Sequence, residues 1–265
     1  MTPPDLALVV PCYNEAARLD REAFLDFLTT HPGVQFVFVD DGSVDGTGEL
    51  LERMRAAAPG GVTTLRHVSN RGKAEAVRAG ILAAIAQHAV LVGFFDADLS
   101  TPLRVVDDFL AVLRARPDVE FILGSRVLLM GRDVKRKASR HYLGRVFATA
   151  VSLALDLPVY DTQCGAKMLR VNAATATLFA TPFRSRWIFD VELIARYLRL
   201  PVDPGEAPRR DRLYELVLPR WHDKPGSKLR WYDFARAMVD LGYIWRERVA
   251  HRPPGGAVTP AFHKP

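Results

Sequence analysis

Residues 92–103 read VGFFDADLSTPL, an apolar run that ends in two aspartates one residue apart, Asp96 and Asp98. Such a run is typical of a strand that is buried on both faces of a sheet. Because alternate residues of an extended segment point to the same side, we expect both carboxylates on one side of the chain. Two close carboxylates repel each other unless a cation neutralises them. The stretch therefore predicts a strand whose carboxyl end binds a positive charge.

Similar apolar runs alternate with helical patterns through the first half of the chain. We expect further strands at 6–13, 35–43 and 62–68 and in EFILGSR, with helices between them, including one from Glu15 to Thr30 and one from Pro102 to Arg114. This alternation predicts an α/β fold with a mainly parallel central sheet covered by helices.

The second half of the chain is less regular. Helical patterns are HYLGRVFATAVSLALDL, IFDVELIARYLR and the amphipathic KLRWYDFARAMVDLGYIWRERV, while TQCGAKMLR and LYELVLP favour strands. We expect one domain over residues 1–250 with a C-terminal amphipathic helix. The segment 251–265 is rich in Pro and Gly, which predicts a flexible tail.

Composition and charge narrow the class of protein. The chain has 265 residues, of which 49% are hydrophobic and 25% charged, as is ordinary for a soluble globular protein. Seven basic residues and one acid lie between Arg126 and Arg145, and such a patch binds phosphate in nucleic acid, lipid or substrate. Cys12 and Cys164 form no zinc pattern, so we expect a reduced, cytoplasmic protein. No secretory signal is recognisable, and no apolar run reaches the ~20 residues that span a bilayer.

Polar residues follow three of the predicted strands. Asn14 and Glu15 follow the first, Asp40 and Asp41 the second, and Asp96 and Asp98 the fourth. In open parallel sheets ligands bind beyond the carboxyl ends of the strands, so these ends are expected to meet at one site. A hard divalent cation such as Mg²⁺ binds one or two carboxylates and completes its shell with substrate phosphates. The first turn, PCYNEAARL, lacks the glycines of a dinucleotide-binding fingerprint. His67, His88 and His141 follow no ligand spacing and are expected at the surface.

Seven motifs in order carry a resemblance to a known family: VVPCYNE, VDDGSVDGT, NRGKAEAVRAG, FFDADLSTP, ILGSR, DTQCGAKM and PGSKLR. With them the chain resembles family 2 glycosyltransferases of the GT-A fold, a single Rossmann-like domain, from about residue 6 to 245. It is most similar to the branch of polyprenyl-phosphate (dolichyl-phosphate) β-glucosyltransferases, beside the dolichyl-phosphate mannose synthases. It departs from the mannose synthases at Ser100, where they carry a metal-binding glutamine.

The resemblance implies site residues. Pro11, Tyr13 and Glu15 would line a nucleoside pocket, Asp41 would contact the base with Asp40 beside it, and Asn70 and Lys73 would lie near the ribose and diphosphate. Asp96 and Asp98 would hold Mg²⁺ or Mn²⁺ against the diphosphate. Arg126 and Arg140 would face an acceptor phosphate, and Lys228 would close over the diphosphate.

The resemblance also implies the reaction: inverting transfer of a hexose, with glucose from UDP-glucose favoured, onto a polyprenyl phosphate. We expect the basic segment and residues 130–150 to contact the cytoplasmic face of a membrane peripherally. GDP-mannose remains an alternative donor, and a sugar or other hydroxyl a second acceptor class. A hydroxyl acceptor would need a carboxylate base, for which Asp190 and Glu192 are candidates. A nucleic-acid-binding module is disfavoured because the basic segment carries few aromatic residues. An idle nucleotide-binding relative is disfavoured by the intact D-x-D.

Overall fold

The structure is a computed structural model that describes residues 3–131, 133–135, 138–222 and 231–250. The side chains of residues 135–143, 231–235 and 248–250 are not described, nor is anything in 251–265. Lys228 therefore lies outside the described residues, as does the proposed tail. For Arg140 only the backbone is described.

The chain forms nine strands and nine helices in its described parts, one of the helices being a short 3₁₀ turn at Arg209–Arg212. The strands are β1 Leu6–Cys12, β2 Val34–Asp40, β3 Val62–Arg66, β4 Leu91–Phe95, β5 Phe121–Ser125, β6 Asp133–Lys135, β7 Ala166–Arg170, β8 Leu213–Val217 and β9 Arg220–His222. The α-helices are α1 Arg21–Thr30, α2 Thr47–Ala57, α3 Lys73–Ala86, α4 Val105–Ala115, α5 Ala138–Leu155, α6 Ala173–Ala180, α7 Phe189–Leu198 and α8 Trp231–Ala250.

Seven strands form one sheet in the order β3-β2-β1-β4-β7-β5-β8. All pairs are parallel except those of β7, which runs antiparallel between β4 and β5. The mainly parallel α/β architecture expected from the sequence is thus confirmed. The separate pairing of β6 with β9 is parallel. From β1 the chain adds β2 and β3 on one side of the sheet and then returns to add β4 on the other side of β1. This reversal of strand order opens a crevice at the carboxyl ends of the strands.

Alternate residues of the central strands enter two different cores. In β1, Ala7 and Val9 pack on one face, whereas Leu8 and Val10 pack on the other. The first face is covered by α3, α5, α6, α7 and α8, and the second by α1, α2 and α4. A strand buried on both faces needs apolar residues at every position, which is why these strands are continuous runs of Val, Leu and Phe.

Two helices begin later than the sequence predicts. Helix α1 begins at Arg21 instead of near Glu15, because the side chain of Asp20 accepts a hydrogen bond from the Ala23 amide and caps the helix there. The preceding residues form a turn in which the Leu19 amide donates to the Glu15 carbonyl. Helix α4 begins at Val105, after a turn that starts at Pro102. Both corrections leave residues 13–19 and 96–104 as loops beside the crevice.

Within the described ranges, no helix combines the length and the apolar character needed to cross a membrane. The basic segment is described only in part, since most side chains between 132 and 143 fall outside the described set.

Candidate functional site

A cavity of about 380 Å³ lies at the carboxyl ends of β1, β2 and β4. This volume falls in the range of small-molecule pockets. Eight of the twelve residues singled out from the sequence line it: Pro11, Tyr13, Glu15, Asp41, Asn70, Lys73, Asp96 and Asp98. The fold thus brings Pro11 and Asp98, which are 87 positions apart in the chain, into the lining of one cavity. We call this cavity the donor pocket, because the resemblance described above implies that a nucleotide-sugar donor would bind there.

The wall formed by the ends of β1 and β2 is held by hydrogen bonds between two loops. The Asn14 amide donates to the Ser43 hydroxyl at 2.9 Å, and the Val44 amide donates to the Asn14 side chain at 3.0 Å. Asn14 has a positive φ of 55°, a conformation that asparagine tolerates better than most residues. The Glu15 amide donates to the Thr47 hydroxyl at 2.8 Å. These bonds fix the direction in which Tyr13 and Glu15 leave the strand.

Asp41 organises the turn that leads into α3. Its carboxylate accepts hydrogen bonds from the amides of Arg71 and Gly72, at 2.9 and 2.7 Å. The Nδ1 atom of His67 lies 2.8 Å from Asp41 Oδ1, and only 11% of the His67 side chain is exposed. The prediction that His67 lies at the surface is therefore wrong. Its partner, Asp41, follows the neighbouring strand β2 and is 26 residues away, so no local pattern predicts the contact.

Asp40 is not among the residues that line the donor pocket. It is buried, accepts a hydrogen bond from the Ser43 amide at 2.9 Å, and has Arg66 Nε 3.3 Å from its Oδ2 atom. Its role here is to hold the turn after β2.

The D-x-D segment continues β4 into the donor pocket. The Asp96 amide donates to the Gly165 carbonyl at 3.0 Å, and Lys73 Nζ forms an ion pair with Asp96 Oδ1. Asp98 accepts a hydrogen bond from the Ser100 amide at 2.9 Å. Leu99 adopts a left-handed conformation with φ of 52°, which is strained for a non-glycine residue and is found mostly at functional sites.

Acidic side chains outnumber basic ones in the lining of the donor pocket. Burial raises the pKa of Glu15, and Asp98 and Asp45 raise it further against the opposing effect of Arg18. Burial lowers the pKa of Lys73, but Asp96, Asp190 and Asp98 raise it by more, so this amine stays protonated. Carboxylates thus dominate the floor of the pocket, and the ammonium of Lys73 is a cation already attracted to them.

The oxygen ligands in this pocket fit a divalent metal ion. Asp96 and Asp98 supply two carboxylates, the number that Mg²⁺ usually takes before substrate phosphates and water complete its shell. Gly165 leaves room beside Asp96, since a Cβ there would overlap the carboxylate. No cluster of three His, Cys, Asp or Glu suited to a metal occurs in the described parts of the chain.

Arg126 lies in a second cavity, of about 420 Å³. Its guanidinium binds Asp161 through two contacts, Nε to Oδ2 at 2.6 Å and Nη2 to Oδ1 at 2.8 Å. Burial lowers the pKa of Arg126, but Asp161 and then Asp96 are among the groups that raise it by more. Asp96 is therefore within electrostatic reach of Arg126. The rest of the lining is mainly apolar and comes from the loop after β5, from α5 and from residues 158–163. We call this cavity the apolar groove.

The two candidate bases are engaged in other contacts. Asp190 Oδ1 lies 2.5 Å from Nζ of Lys167, whose side chain is fully buried. Glu192 accepts hydrogen bonds from the amides of Arg184 and Ser185 and pairs with Arg196 at 2.7 Å. Both residues stand in the first turn of α7, where carboxylates interact favourably with the helix dipole.

Asp161, Lys167 and His67 were not among the residues singled out for the site. Asp161 and Lys167 belong to the motif DTQCGAKM, which therefore contained a signal for them. Their partners, 35 and 23 residues away, could not be read from the motif.

Comparison with known proteins agrees with this geometry. Residues 7–177 match the family model described as glycosyl transferase family 2. The chain is 30% identical over 238 residues to a dolichyl-phosphate β-glucosyltransferase of Dictyostelium discoideum, covering 84% of this chain and 68% of that one. It is 32% identical to the Drosophila melanogaster protein of the same name (91% and 74% covered) and 31% to the human one (84% and 69%).

Solved structures give the same fold at lower identity. The glucosyl-3-phosphoglycerate synthase of Mycobacterium tuberculosis in complex with UDP is 16% identical, with a TM-score of 0.61 over 95% of this chain and 82% of that one. The same enzyme with Mn²⁺, UDP-glucose and phosphoglyceric acid gives a TM-score of 0.62 at 15% identity, with the same coverage. The family match, the identity to relatives over more than two thirds of their length and the shared GT-A fold agree, and this chain belongs to glycosyl transferase family 2.

Proposed function

We propose that this protein is an inverting glycosyltransferase that moves a hexose, with glucose from UDP-glucose favoured, onto a polyprenyl phosphate of the dolichyl type. The names of the relatives support the acceptor and the sugar. The donor pocket, lined by the D-x-D residues, supports a nucleotide-diphospho-sugar held with Mg²⁺ or Mn²⁺.

The observation that carries the acceptor class is the pairing of a cation with the apolar groove. Arg126 stands at one part of the groove, and Val127, Leu128, Phe147, Leu153 and Val159 are among its lining. Asp161 occupies the Nε–Nη2 edge of Arg126, and the other edge of a guanidinium, Nη1–Nη2, is the one that would bind a phosphate. The apolar walls suit an isoprenoid chain. Asp161, which holds Arg126, is four residues from Gly165, which accepts the Asp96 amide hydrogen bond, and this supports placing an acceptor phosphate on the same side as the donor diphosphate.

The engagement of Asp190 and Glu192 favours an acceptor that is already an anion. A hydroxyl acceptor requires a base that can accept a proton. Asp190 is paired with buried Lys167, and Glu192 with Arg196 and two amides. A phosphate acceptor needs no proton removed, and the arrangement of these two carboxylates fits that chemistry better.

Each residue of the donor pocket has a place in the proposed reaction. Pro11, Tyr13, Glu15 and Asp41 would bind the nucleoside, with Asp40 holding the turn beside them. Asn70 would lie by the ribose and diphosphate. Asp96 and Asp98 would hold a divalent cation, which supplies electrostatic stabilisation of the diphosphate leaving group. Lys73 would move from Asp96 toward the diphosphate, and Arg140 and Lys228 would add positive charge at the acceptor and donor phosphates.

Exposed apolar side chains near the groove support peripheral contact with a membrane. Leu129 and Met130 follow β5, and Val146 and Leu153 project from α5, all of them exposed. Basic residues in the same stretch would gain ~1 kcal/mol each at an anionic surface. Attachment to the cytoplasmic face is supported by the two cysteines, both of which are buried and unpaired. Sedimentation with anionic vesicles at low salt would reveal this contact, and its absence there would contradict it.

The experiment is a turnover assay with UDP-glucose and Mn²⁺ or Mg²⁺, with and without a short polyprenyl phosphate in detergent. We expect UDP release that needs the lipid phosphate, and that is lost in Asp98→Asn. The matched control is Asp118→Asn, which removes an exposed carboxylate far along the chain from the D-x-D and should retain activity.

Other outcomes separate the parts of the proposal. Release of UDP without lipid would contradict the acceptor. Turnover with GDP-mannose but not with UDP-glucose would contradict the donor. Full activity of Asp98→Asn, or activity in the presence of a chelator, would contradict the metal site.

A further inference from the structure

Lys167 is a fully buried lysine in β7, with none of its side chain exposed. Its Nζ atom donates to the Cys164 carbonyl at 2.7 Å, pairs with Asp190 Oδ1 at 2.5 Å and lies 5.2 Å from the centre of the Phe94 ring. Burying a charge is costly unless it is paired and hydrogen-bonded, as it is here. The proposed reaction gives this pair no direct role.

One side of the pair controls the backbone that holds the D-x-D. Strand β7 is antiparallel to β4, with Lys167 opposite Phe94 and Ala166 opposite Phe95. The next residue, Gly165, accepts the Asp96 amide hydrogen bond at 3.0 Å, and its Cα lies against the Asp96 carboxylate. By binding the Cys164 carbonyl, Lys167 fixes the path of the chain immediately before Gly165. A shift at 164–165 would therefore move Asp96.

The other side of the pair controls the start of α7. Asp190 is its second residue, and the first, Phe189, has its ring 6.0 Å from Lys73 Nζ and 5.7 Å from the ring of Phe94. Asp190 is also one of the charges that raise the pKa of Lys73. The pair thus joins the strand that positions Asp96 to the helix that packs against Lys73.

We propose that the Lys167–Asp190 ion pair is a positioning device that sets Asp96 and Lys73 in the geometry that binds the metal ion and the donor diphosphate. Neither residue is among those that line the donor pocket. This inference rests on the proposed function and deepens it by naming what sets the donor site. A buried ion pair is on average no more stabilising than well-packed apolar residues of the same volume. Replacing the pair with apolar residues can therefore change metal and diphosphate binding without changing the free energy of unfolding.

The test replaces both charges at once, in Lys167→Met/Asp190→Leu. Breaking one partner alone leaves an uncompensated buried charge and destabilises the protein, whereas removing both is often neutral. We would measure the melting temperature, the binding of UDP with Mn²⁺ by calorimetry and the binding of Mn²⁺ by the paramagnetic resonance of the free ion. We expect a melting temperature within a few degrees of wild type but Mn²⁺–UDP affinity about tenfold or more lower, since ~1.4 kcal/mol is tenfold. Uridine, which lacks the diphosphate, should bind unchanged.

Arg196→Met is the matched control on the same helix. Arg196 binds the carbonyls of Leu178 and Thr181 and pairs with Glu192, with 14% of its side chain exposed. Its loss should lower the melting temperature while leaving Mn²⁺–UDP affinity unchanged. If Arg196→Met lowers that affinity as much as the double variant does, general docking of α7 is responsible and the inference is overturned.

Further outcomes also decide it. A folded double variant that binds Mn²⁺–UDP like wild type would show that the pair is only structural. Should the double variant fail to fold, Asp190→Asn, nearly isosteric, must lower the affinity in the same way, and wild-type affinity in Asp190→Asn overturns the inference. Failure of the wild-type protein to bind either UDP or GDP with Mn²⁺ would overturn the proposed donor site, and the inference with it.

Discussion

Asp161 holds the guanidinium of Arg126 through two parallel contacts of 2.6 and 2.8 Å, and it also accepts the Arg126 amide at 3.0 Å. The Asp161 amide in turn donates to Glu215 at 2.8 Å, and the Arg126 guanidinium lies 5.2 Å from the centre of the Trp221 ring. An arginine held on so many sides has few rotamers to lose when it binds an anion. Asp161 thus presents Arg126 to the apolar groove in one orientation.

We expect Asp161→Asn to weaken the binding of the acceptor and to leave the binding of the donor unchanged. Because a hydrogen bond to a charged group contributes ~1.5–3 kcal/mol, the KM for polyprenyl phosphate should rise about tenfold or more. Steady-state kinetics that vary acceptor and donor separately measure this. Asp118→Asn is the matched control, since Asp118 binds Arg116 with the same two-contact geometry at an exposed site. Equal changes in both KM values would contradict a role confined to the acceptor.

Gly165→Ala should weaken metal binding while the protein stays folded. A Cβ at this position would overlap the carboxylate of Asp96, which must then turn away. The affinity for Mn²⁺ in the presence of UDP should fall by about tenfold or more, measured by calorimetry, as expected for loss of a metal ligand's geometry. Gly60→Ala is the control, because a Cβ at Gly60 meets nothing within 4 Å. Unchanged Mn²⁺ binding in Gly165→Ala would mean that Asp96 is not a ligand.

Glu120→Gln should lower the stability of the protein at neutral pH without changing donor binding. Glu120 accepts hydrogen bonds from Tyr197 at 2.8 Å, Arg209 at 2.7 Å and Arg212 at 3.0 Å. Burial raises its pKa, but these groups lower it by more, to below the ordinary value of 4.5. Loss of the charge leaves two arginines without their shared partner, and we expect a decrease of about 2 kcal/mol in the free energy of unfolding.

The pH dependence of this effect has a definite sign. A carboxylate with a depressed folded-state pKa stabilises the protein above its unfolded pKa, and this stability is lost as the pH falls through the folded value. Urea denaturation from neutral pH to about pH 3.5 should therefore bring wild type and Glu120→Gln together in acid. A difference that stays constant across the range would contradict the charge-based explanation.

Neither cysteine should react with thiol reagents in the native state. Cys164 is buried, and its pKa is raised to about 11, chiefly by burial. Cys12 is also buried, and its pKa is raised, first by burial and then by Glu15 and Asp40. Since the thiolate is the reactive species, labelling at mildly alkaline pH should be absent natively and reach both thiols after denaturation. Rapid labelling of the folded protein would show that the ends of β1 and β7 open.

Local patterns in the chain were enough to predict the first five strands and the edge of the sheet at which the donor pocket lies. Continuous apolar runs identified β1 to β5, and the polar residues that follow β1, β2 and β4 predicted the edge at which Glu15, Asp41 and Asp96 meet. These are local signals, since burial on both faces requires an apolar residue at every position of a strand. The starts of α1 and α4 were misjudged because the cap at Asp20 and the turn after Pro102 compete with an otherwise helical pattern.

The ion pairs could be identified only from the tertiary structure, because their partners are far apart in the chain. It placed β7 antiparallel between β4 and β5, and so brought Gly165 against Asp96. It joined Arg126 to Asp161 and Lys167 to Asp190, over 35 and 23 residues. Periodicity along a chain reports which face of an element is buried, but it carries no information about which distant side chain will lie opposite. The packing of the helices on the sheet brings distant side chains together. A charge that is buried in this way is tolerated only where an opposite charge lies within reach.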